Sequence, residues 1–264
     1  MKVTVFTSNQ SRHISLVNSL AGIADQVYAV QECSTIFPGE VDDFFRRSEV
    51  MQAYFKRVIS AERDVFGPVS FARDNVRQLA LRMGDLSRVP LDVLADALDS
   101  DVYVVFGASY IRGPLIDYLV ARGAINIHMG VSPYYRGSSC NFWALYDGRP
   151  EYVGATIHKL SKGLDSGDML FHVFPREVSS DPFVHGMMAV KSAHDGLCYH
   201  LERKSLLSIP SVKQCRDEEL RYTRNEDFTD EVAQQYLSNL PISEKFEIAL
   251  KRRDLNKFLN PLLI

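Results

Sequence analysis

MKVTVFTSNQSRHISLVNSLAGIADQVYAV, residues 1–30, reads as strand, loop, helix and strand. Val3 to Phe6 is a short β-branched and aromatic run, the composition of a buried first strand. Ser8 and Asn9 can cap a following helix, on which Ile14, Leu16, Val17, Leu20 and Ile23 recur at helical spacing. Gln26 to Val30 reads as a second strand. A strand that leads through a helix into another strand predicts an α/β fold with a doubly wound, mostly parallel sheet. Ligands of such sheets lie beyond the carboxyl ends of strands, so the Thr7–His13 loop is a natural substrate position. It has no Gly-x-Gly-x-x-Gly, which argues against a dinucleotide cofactor.

Downstream, the pattern continues. Val50, Met51, Tyr54, Phe55, Val58 and Ile59 predict a long helix that ends at Gly67-Pro68, after a charged aromatic run at Phe44-Phe45-Arg46-Arg47. Residues 69–100 are mixed, with a helix expected from Leu91 to Leu98. Asp101 to Phe106 is nearly continuous in apolar residues, as a central parallel strand should be. Gly113-Pro114 opens a helix through Leu119 and Val120. Tyr152–Leu160 and Asp168–Val173 read as two strands joined by a glycine-containing loop. Ser180-Asp181-Pro182 starts a helix running to about Leu201. The tail from Ile209 is polar, then helical at Thr229–Leu237 and Ser243–Leu259. This organisation predicts a core over 1–205 and a small helical C-terminal extension over 206–264.

Length and composition narrow the class. The chain has 264 residues, enough for a sizeable core without disulfide staples. With 30 Lys+Arg against 33 Asp+Glu, the formal charge is −3, and no basic stripe of the kind nucleic acid requires is evident. Cys33, Cys140, Cys198 and Cys215 have no metal spacing and read as reduced, mostly buried thiols; no metal is expected. Neither a signal peptide nor a membrane span is legible, so a cytoplasmic protein is expected.

The chemistry concentrates in Ile125–Leu170. Ile125-Asn126-Ile127-His128 reads as the end of a short buried strand, on which Asn126 and His128 share one face. An amide beside an imidazole can hold an oxyanion and move protons. Asp165, folded back onto the pair, would orient His128 and favour its charged form. Amide, imidazolium and carboxylate together suit acyl transfer to an amine. His158 and His172, on the two later strands, read as structural histidines, and Phe142 and Trp143 as core residues of a short helix.

The order of these elements resembles the formyltransferase family that uses 10-formyltetrahydrofolate. The shared features are Asn126-x-His128, the turn through Pro133, Arg136 and Gly137, and Leu164-Asp165-x-Gly167. The resemblance implies a catalytic set of Asn126, His128 and Asp165, with 10-formyltetrahydrofolate as co-substrate. It places the Gly107–Ile111 loop against the pterin. Candidate folate-binding residues are accordingly Ser109, Tyr110, Ile111, Gly163, Ser166, Gly167 and Asp168. Asn9, Arg12 and Arg136 are candidates for holding the acceptor. The segment Asn141-Phe142-Trp143 is similar to that of the branch acting on nucleotide-linked amino sugars, and implies an acceptor such as GDP-perosamine in surface-polysaccharide (O-antigen) synthesis. The expected partner is a small nucleotide sugar rather than nucleic acid or membrane, with a homodimer as the expected assembly. One departure stands out: the family commonly has Ser two residues after the histidine, where this chain has Gly130. Rival readings are a methionyl-tRNA formyltransferase-like enzyme, a formyltetrahydrofolate hydrolase and a non-catalytic folate binder.

Overall fold

The first strand, β1 (Lys2–Thr7), is buried at five consecutive positions, Val3 to Thr7, so both its faces are covered. In the computed structural model, which describes residues 1–37, 48–240 and 243–264, it occupies the middle of an eight-stranded sheet. Its neighbours are β2 (Gln26–Cys33) on one side and β4 (Val102–Val105) on the other, both parallel. The chain passes from β1 through α1 (Ser11–Ile23) to β2, then through α2 (Glu49–Phe66) to β3 (Val76–Arg82) at one edge. From β3 it returns by α3 (Ala95–Leu98) to β4 on the far side of β1, and through α4 (Gly113–Ala121) to β5 (Ile125–His128). The winding direction therefore reverses between β1 and β4, and in a doubly wound sheet that reversal opens a crevice at the carboxyl ends of the strands.

After β5 the topology changes. A short strand, β6 (Tyr135–Gly137), and helix α5 (Cys140–Tyr146) intervene before β7 (Ala155–Lys159), which runs antiparallel to β5. β8 (Met169–Phe174) pairs antiparallel with β7, and α6 (Pro182–Glu202) then crosses one face of the sheet. The tail adds β9 (Arg221–Thr223), α7 (Asp230–Ser238), α8 (Ser243–Lys251) and β10 (Leu262–Leu263). The sheet order is β10-β8-β7-β5-β4-β1-β2-β3, with only β7 opposed to the rest. This is the expected mostly parallel α/β architecture.

One core layer packs Leu16, Val17 and Leu20 of α1 and Val190, Ala193 and Leu197 of α6 against Val3, Val5, Val27 and Ile157 of the sheet. The opposite layer packs Leu115, Ile116 and Leu119 of α4 against Phe6, Val105 and Tyr103. Each fully buried aliphatic side chain contributes ~1.5–3 kcal/mol by leaving water. A third cluster is aromatic and lies where α2, α5, α6 and α7 meet, joining Tyr54, Phe142, Phe183 and Tyr236.

Several expectations change. α1 begins at Ser11 behind Gln10, without a side-chain cap, because Ser8 and Asn9 bond instead to the Glu32 and Ser34 backbone at the end of β2. The helix expected over Leu91–Leu98 is a run of turns ending in the four-residue α3. β3 was hidden in the mixed region because it is an edge strand, with exposed residues, Arg77 and Gln78 among them, between its half-buried positions. The tail is helical only in part: β10 extends the main sheet and β9 pairs with β6, so the extension is woven into the core. Of the four thiols only Cys140 is buried; Cys215 is exposed. The run Phe44–Arg47 lies outside the described residues. None of the helices formed by described residues is long and apolar enough to cross a membrane.

Candidate active site

The register of β5 and β7 builds the site. Asn126 stands opposite His158 and His128 opposite Thr156 in the antiparallel pair. Directly opposed residues project to the same side of a sheet, so Asn126, His128 and His158 share one face. The loop between β7 and β8 then brings Asp165 over them. Asp165 has φ +43, in the left-handed region, a conformation that Asp tolerates better than most residues and that aims its carboxylate inward.

That carboxylate divides its two oxygens. Oδ1 accepts from Asn126 Nδ2 at 3.0 Å, and Oδ2 lies 3.3 Å from His128 Nδ1. Asn126 Nδ2 also lies 2.9 Å from His158 Nε2. The tautomer of His158 follows from its other nitrogen, which faces the Lys159 carbonyl at 2.8 Å and must carry the proton. Nε2 is then an acceptor, so the Asn126 amide presents NH₂ to it and to Asp165, leaving Asn126 Oδ1 with no partner among the described residues. His158, expected to be purely structural, thus belongs to the cluster. Only the strand register shows this, because thirty-two residues separate it from Asn126. His172 is structural as expected, held between the Ser132 carbonyl and the Leu259 amide.

Electrostatics couple the pair. Burial works to lower the pKa of His128, but the Asp165 charge, with a further contribution from Cys140, raises it well above the ordinary histidine value. For Asp165, burial acts to raise the pKa, and the His128 charge and the hydrogen bond to His128 outweigh it, holding the carboxyl well below its usual range. The arrangement is a buried imidazolium–carboxylate pair.

Two cavities flank these groups. A crevice of about 260 Å³ at the ends of β4 and β5 is lined by residues 105–111, Asn126–Met129, His158, Leu160, Ser161 and Gly163–Asp165. A second cavity of about 370 Å³ is lined by Arg12 and His13, by Tyr54 and Val58 of α2, by Asn141 and Phe142 of α5, by Phe183 and Met187 of α6 and by Tyr236. Phe106, Gly107 and Met129 line both. Gly107 has φ +65, and a Cβ there would lie 2.4 Å from His13 Nε2, so the partition between the cavities requires glycine.

Of the candidate folate contacts, Ser109, Tyr110, Ile111 and Gly163 line the crevice, while Ser166, Gly167 and Asp168 do not. Gly167 instead answers a packing need, since a Cβ would meet the Lys159 carbonyl at 1.7 Å. Ser166 bonds Ser161, and the Asp168 carbonyl pairs with Lys159. Buried Glu32 was not singled out from sequence. It accepts from the Gly84, Leu86 and Ser109 amides and the Ser109 hydroxyl, tying the crevice loop to β2.

The candidate acceptor contacts also separate. Arg136 is buried and paired with Glu219 at 2.9 Å, away from either cavity. Asn9 is committed to the Ser34 backbone. Arg12 reaches the second cavity, but its guanidinium pairs with Glu62 and its own amide donates to the same carboxylate. The anion-binding start of α1 is therefore already filled by an internal anion.

Residues 86–182, which contain this whole cluster, match the protein-family model described as formyl transferase. A 4-N formyltransferase from Francisella tularensis is similar in fold over 100% of this chain and 98% of its own, with a TM-score of 0.52 at 17% identity. An N-formyltransferase from Helicobacter canadensis, crystallised with folinic acid and dTDP-3-aminofucose, covers 89% of this chain and 78% of its own, with a TM-score of 0.50 at 11% identity. Among curated relatives, the methionyl-tRNA formyltransferase of Lachnospira eligens is 40% identical over 72 residues, 27% of this chain. That match spans only 22% of the relative's length. The fold is thus that of the N-formyltransferases, and the family match covers the segment that carries the site.

Proposed function

We propose that this chain is an N-formyltransferase that moves a formyl group from 10-formyltetrahydrofolate to the primary amine of a nucleotide-linked amino sugar. The observation that carries the reading is one carboxylate, Asp165, holding Asn126 and His128 together on the wall of a crevice that adjoins a second cavity. Two reactants need two adjoining compartments with the proton-handling groups at the junction.

The crevice suits the donor. Its apolar wall of Val105, Ile111, Ile116, Leu160 and Leu164 and the backbone groups of residues 107–111 fit a flat heteroaromatic ring with edge hydrogen bonds. Its volume, about 260 Å³, is near the lower end for small-molecule pockets (~300 Å³), so it houses a ring head rather than a whole folate. The donor supplies the formyl carbon when bound. A neutral amine entering from the second cavity attacks that carbon. The His128 imidazolium donates to the formyl oxygen as charge builds there, an interaction worth ~3 kcal/mol in a transition state. Asp165 keeps His128 charged and oriented. Its lowered basicity makes it a better holder of that charge than a strong base, so it takes the amine proton most readily through water; the bond between the formyl carbon and N10 of the folate then breaks, and that proton passes by the same water to N10 as tetrahydrofolate leaves. Asn126, whose NH₂ is engaged by His158 and Asp165, offers its free oxygen to the N–H of the amine.

The acceptor class rests on the second cavity, whose aromatic and aliphatic lining suits the apolar face of a dideoxy sugar, and on the net charge of −3, which disfavours tRNA. GDP-perosamine, a precursor of surface polysaccharide, is the particular acceptor we propose. The second reading is methionyl-tRNA, favoured by the local identity to tRNA formyltransferases. Exposed Leu207, Leu220, Tyr222 and Ile248 in the tail support a homodimer. A side-by-side rate comparison with one donor tests the assignment. Formylation of a nucleotide-linked 4-amino-4,6-dideoxy sugar at least tenfold faster than of methionyl-tRNA is expected; the reverse preference overturns the acceptor while leaving the chemistry standing.

A further inference from the structure

We infer that Cys140, which no motif singled out, is a positioning residue that holds His128 in its charged, doubly protonated form and gives up its hydrogen bond when a stronger acceptor arrives. The inference rests on the formyl-transfer reading above for what His128 does, and on geometry for what Cys140 does. Cys140 Sγ lies 3.5 Å from His128 Nε2 and 3.4 Å from the Gly137 carbonyl oxygen. The thiol is buried, and it is aimed by Ser139, which turns the chain at φ +55 immediately before it.

A count of protons over this short chain of contacts favours one state. The carboxylate of Asp165 is acceptor-only, so His128 Nδ1 must carry a hydrogen. The Gly137 carbonyl is also acceptor-only, so it takes the thiol proton. The remaining sulfur lone pairs can then only accept, and Nε2 must donate to them. Every group from Asp165 to Gly137 is satisfied when His128 carries both protons. If Nε2 were bare, the thiol proton would turn to it and the Gly137 carbonyl would lose this donor. The groups facing the ring are Asp165 from the β7–β8 loop, His158 from β7 and Cys140 from α5. Asp165 is the carboxylate among them, and its charge is the foremost influence raising the pKa of His128 against the opposing effect of burial.

Sulfur suits the task because it is a weak acceptor. It keeps Nε2–H satisfied between turnovers, yet loses it to a developing oxyanion at small cost, without any proton leaving the ring. The departure at Gly130 fits this. A Cβ at residue 130 would lie 2.4 Å from Cys140 Cβ and 2.8 Å from His128 Nε2, so a serine there could not coexist with this thiol–imidazole contact. Glycine at 130 and cysteine at 140 are two halves of one arrangement.

The test is ¹⁵N NMR of histidine-labelled protein, with the His128 signals assigned through His128→Asn, alongside the pH dependence of formyl transfer. In Cys140→Ala the midpoint of His128 titration should fall by about one pH unit, the equivalent of one hydrogen bond. The alkaline limb of kcat should move with it, with KM for donor and acceptor unchanged. Cys140→Val, which fills the space without offering an acceptor, should give a shift of the same sign, and it carries the test if the alanine variant does not fold. An unmoved midpoint in a folded variant overturns the inference, because a thiol that merely fills space would leave the titration alone. A shifted midpoint in a protein that formylates no amine would instead overturn the formyl-transfer reading and leave the Cys140–His128 pair intact.

Discussion

The two cavities that meet at Phe106, Gly107 and Met129 are built in opposite ways. The crevice draws its chemical groups from two paired strands and one loop within residues 126–165, and nearly every polar atom in it is tied to another. The second cavity is assembled from α1, α2, α5, α6 and α7, five helices spread over nearly the whole chain, and is lined chiefly by rings and aliphatic side chains. A reacting centre needs fixed angles, which hydrogen-bonded networks on rigid strands provide. A chamber for an acceptor needs shape and dryness, which loosely related aromatic contacts from several helices provide. The contrast explains why the segment matching the formyl transferase family model contains the whole crevice but only part of the chamber.

Asp165→Asn is the most damaging way to break the crevice. It removes the carboxylate that faces His128 among the described residues and should lower kcat/KM by roughly three orders of magnitude, the scale of a lost transition-state charge interaction and general base. Circular dichroism should show a folded protein; turnover within tenfold of wild type would remove Asp165 from the mechanism. Next in size is His158→Ala, which leaves one Asn126 N–H without its acceptor. An unsatisfied buried donor costs ~1–3 kcal/mol, so a fall of about 10–100-fold in kcat is expected, with the acceptor KM unchanged. A change confined to KM would place His158 in binding instead.

The sign of the pH dependence follows from the shifts of the pair. The pKa of His128 is raised, so its contribution to stability is full below about 6.5 and is lost as pH rises through the folded value. That of Asp165 is lowered, so its contribution is present above about 3.9 and is lost as pH falls through the folded value. Chemical denaturation from pH 5 to 9 should therefore show the wild type losing stability only on the alkaline side relative to His128→Asn. A loss centred near pH 6.5 would mean an unperturbed histidine. The smallest effect belongs to Arg12→Ala. Because its guanidinium is engaged by Glu62, the acceptor KM should rise less than about threefold, whereas loss of a direct charged contact to phosphate would cost ~1.5–3 kcal/mol, tenfold or more. A large KM effect would make Arg12 a phosphate ligand after all.

These differences also explain what could be read from the chain. Buried strands announce themselves, as Asp101–Phe106 does, and so do helices with strong starts such as Asp181-Pro182. The trio Asn126, His128 and Asp165 was legible because two members lie two residues apart on a strand and the third sits in a glycine-flanked turn. His158 was not, because its place depends on the β5–β7 register, which no local pattern fixes. β3 was hidden by its polar edge, and Glu32 by being one acid among many until its four donors are in view. Arg12 and Arg136 looked available for the acceptor because a sequence does not show that Glu62 and Glu219 already hold them.

The central claim is that the His128–Asp165 pair drives formyl transfer in a crevice shared with a folate donor. It is tested most directly in a single-turnover reaction of purified protein with 10-formyltetrahydrofolate and a nucleotide-linked 4-amino-4,6-dideoxy sugar, run with wild type and with folded His128→Asn. The account predicts formamide product from the wild type and a rate at least a thousandfold lower from the variant, near the loss expected when a key transition-state donor is removed. Equal rates from the two proteins would contradict it.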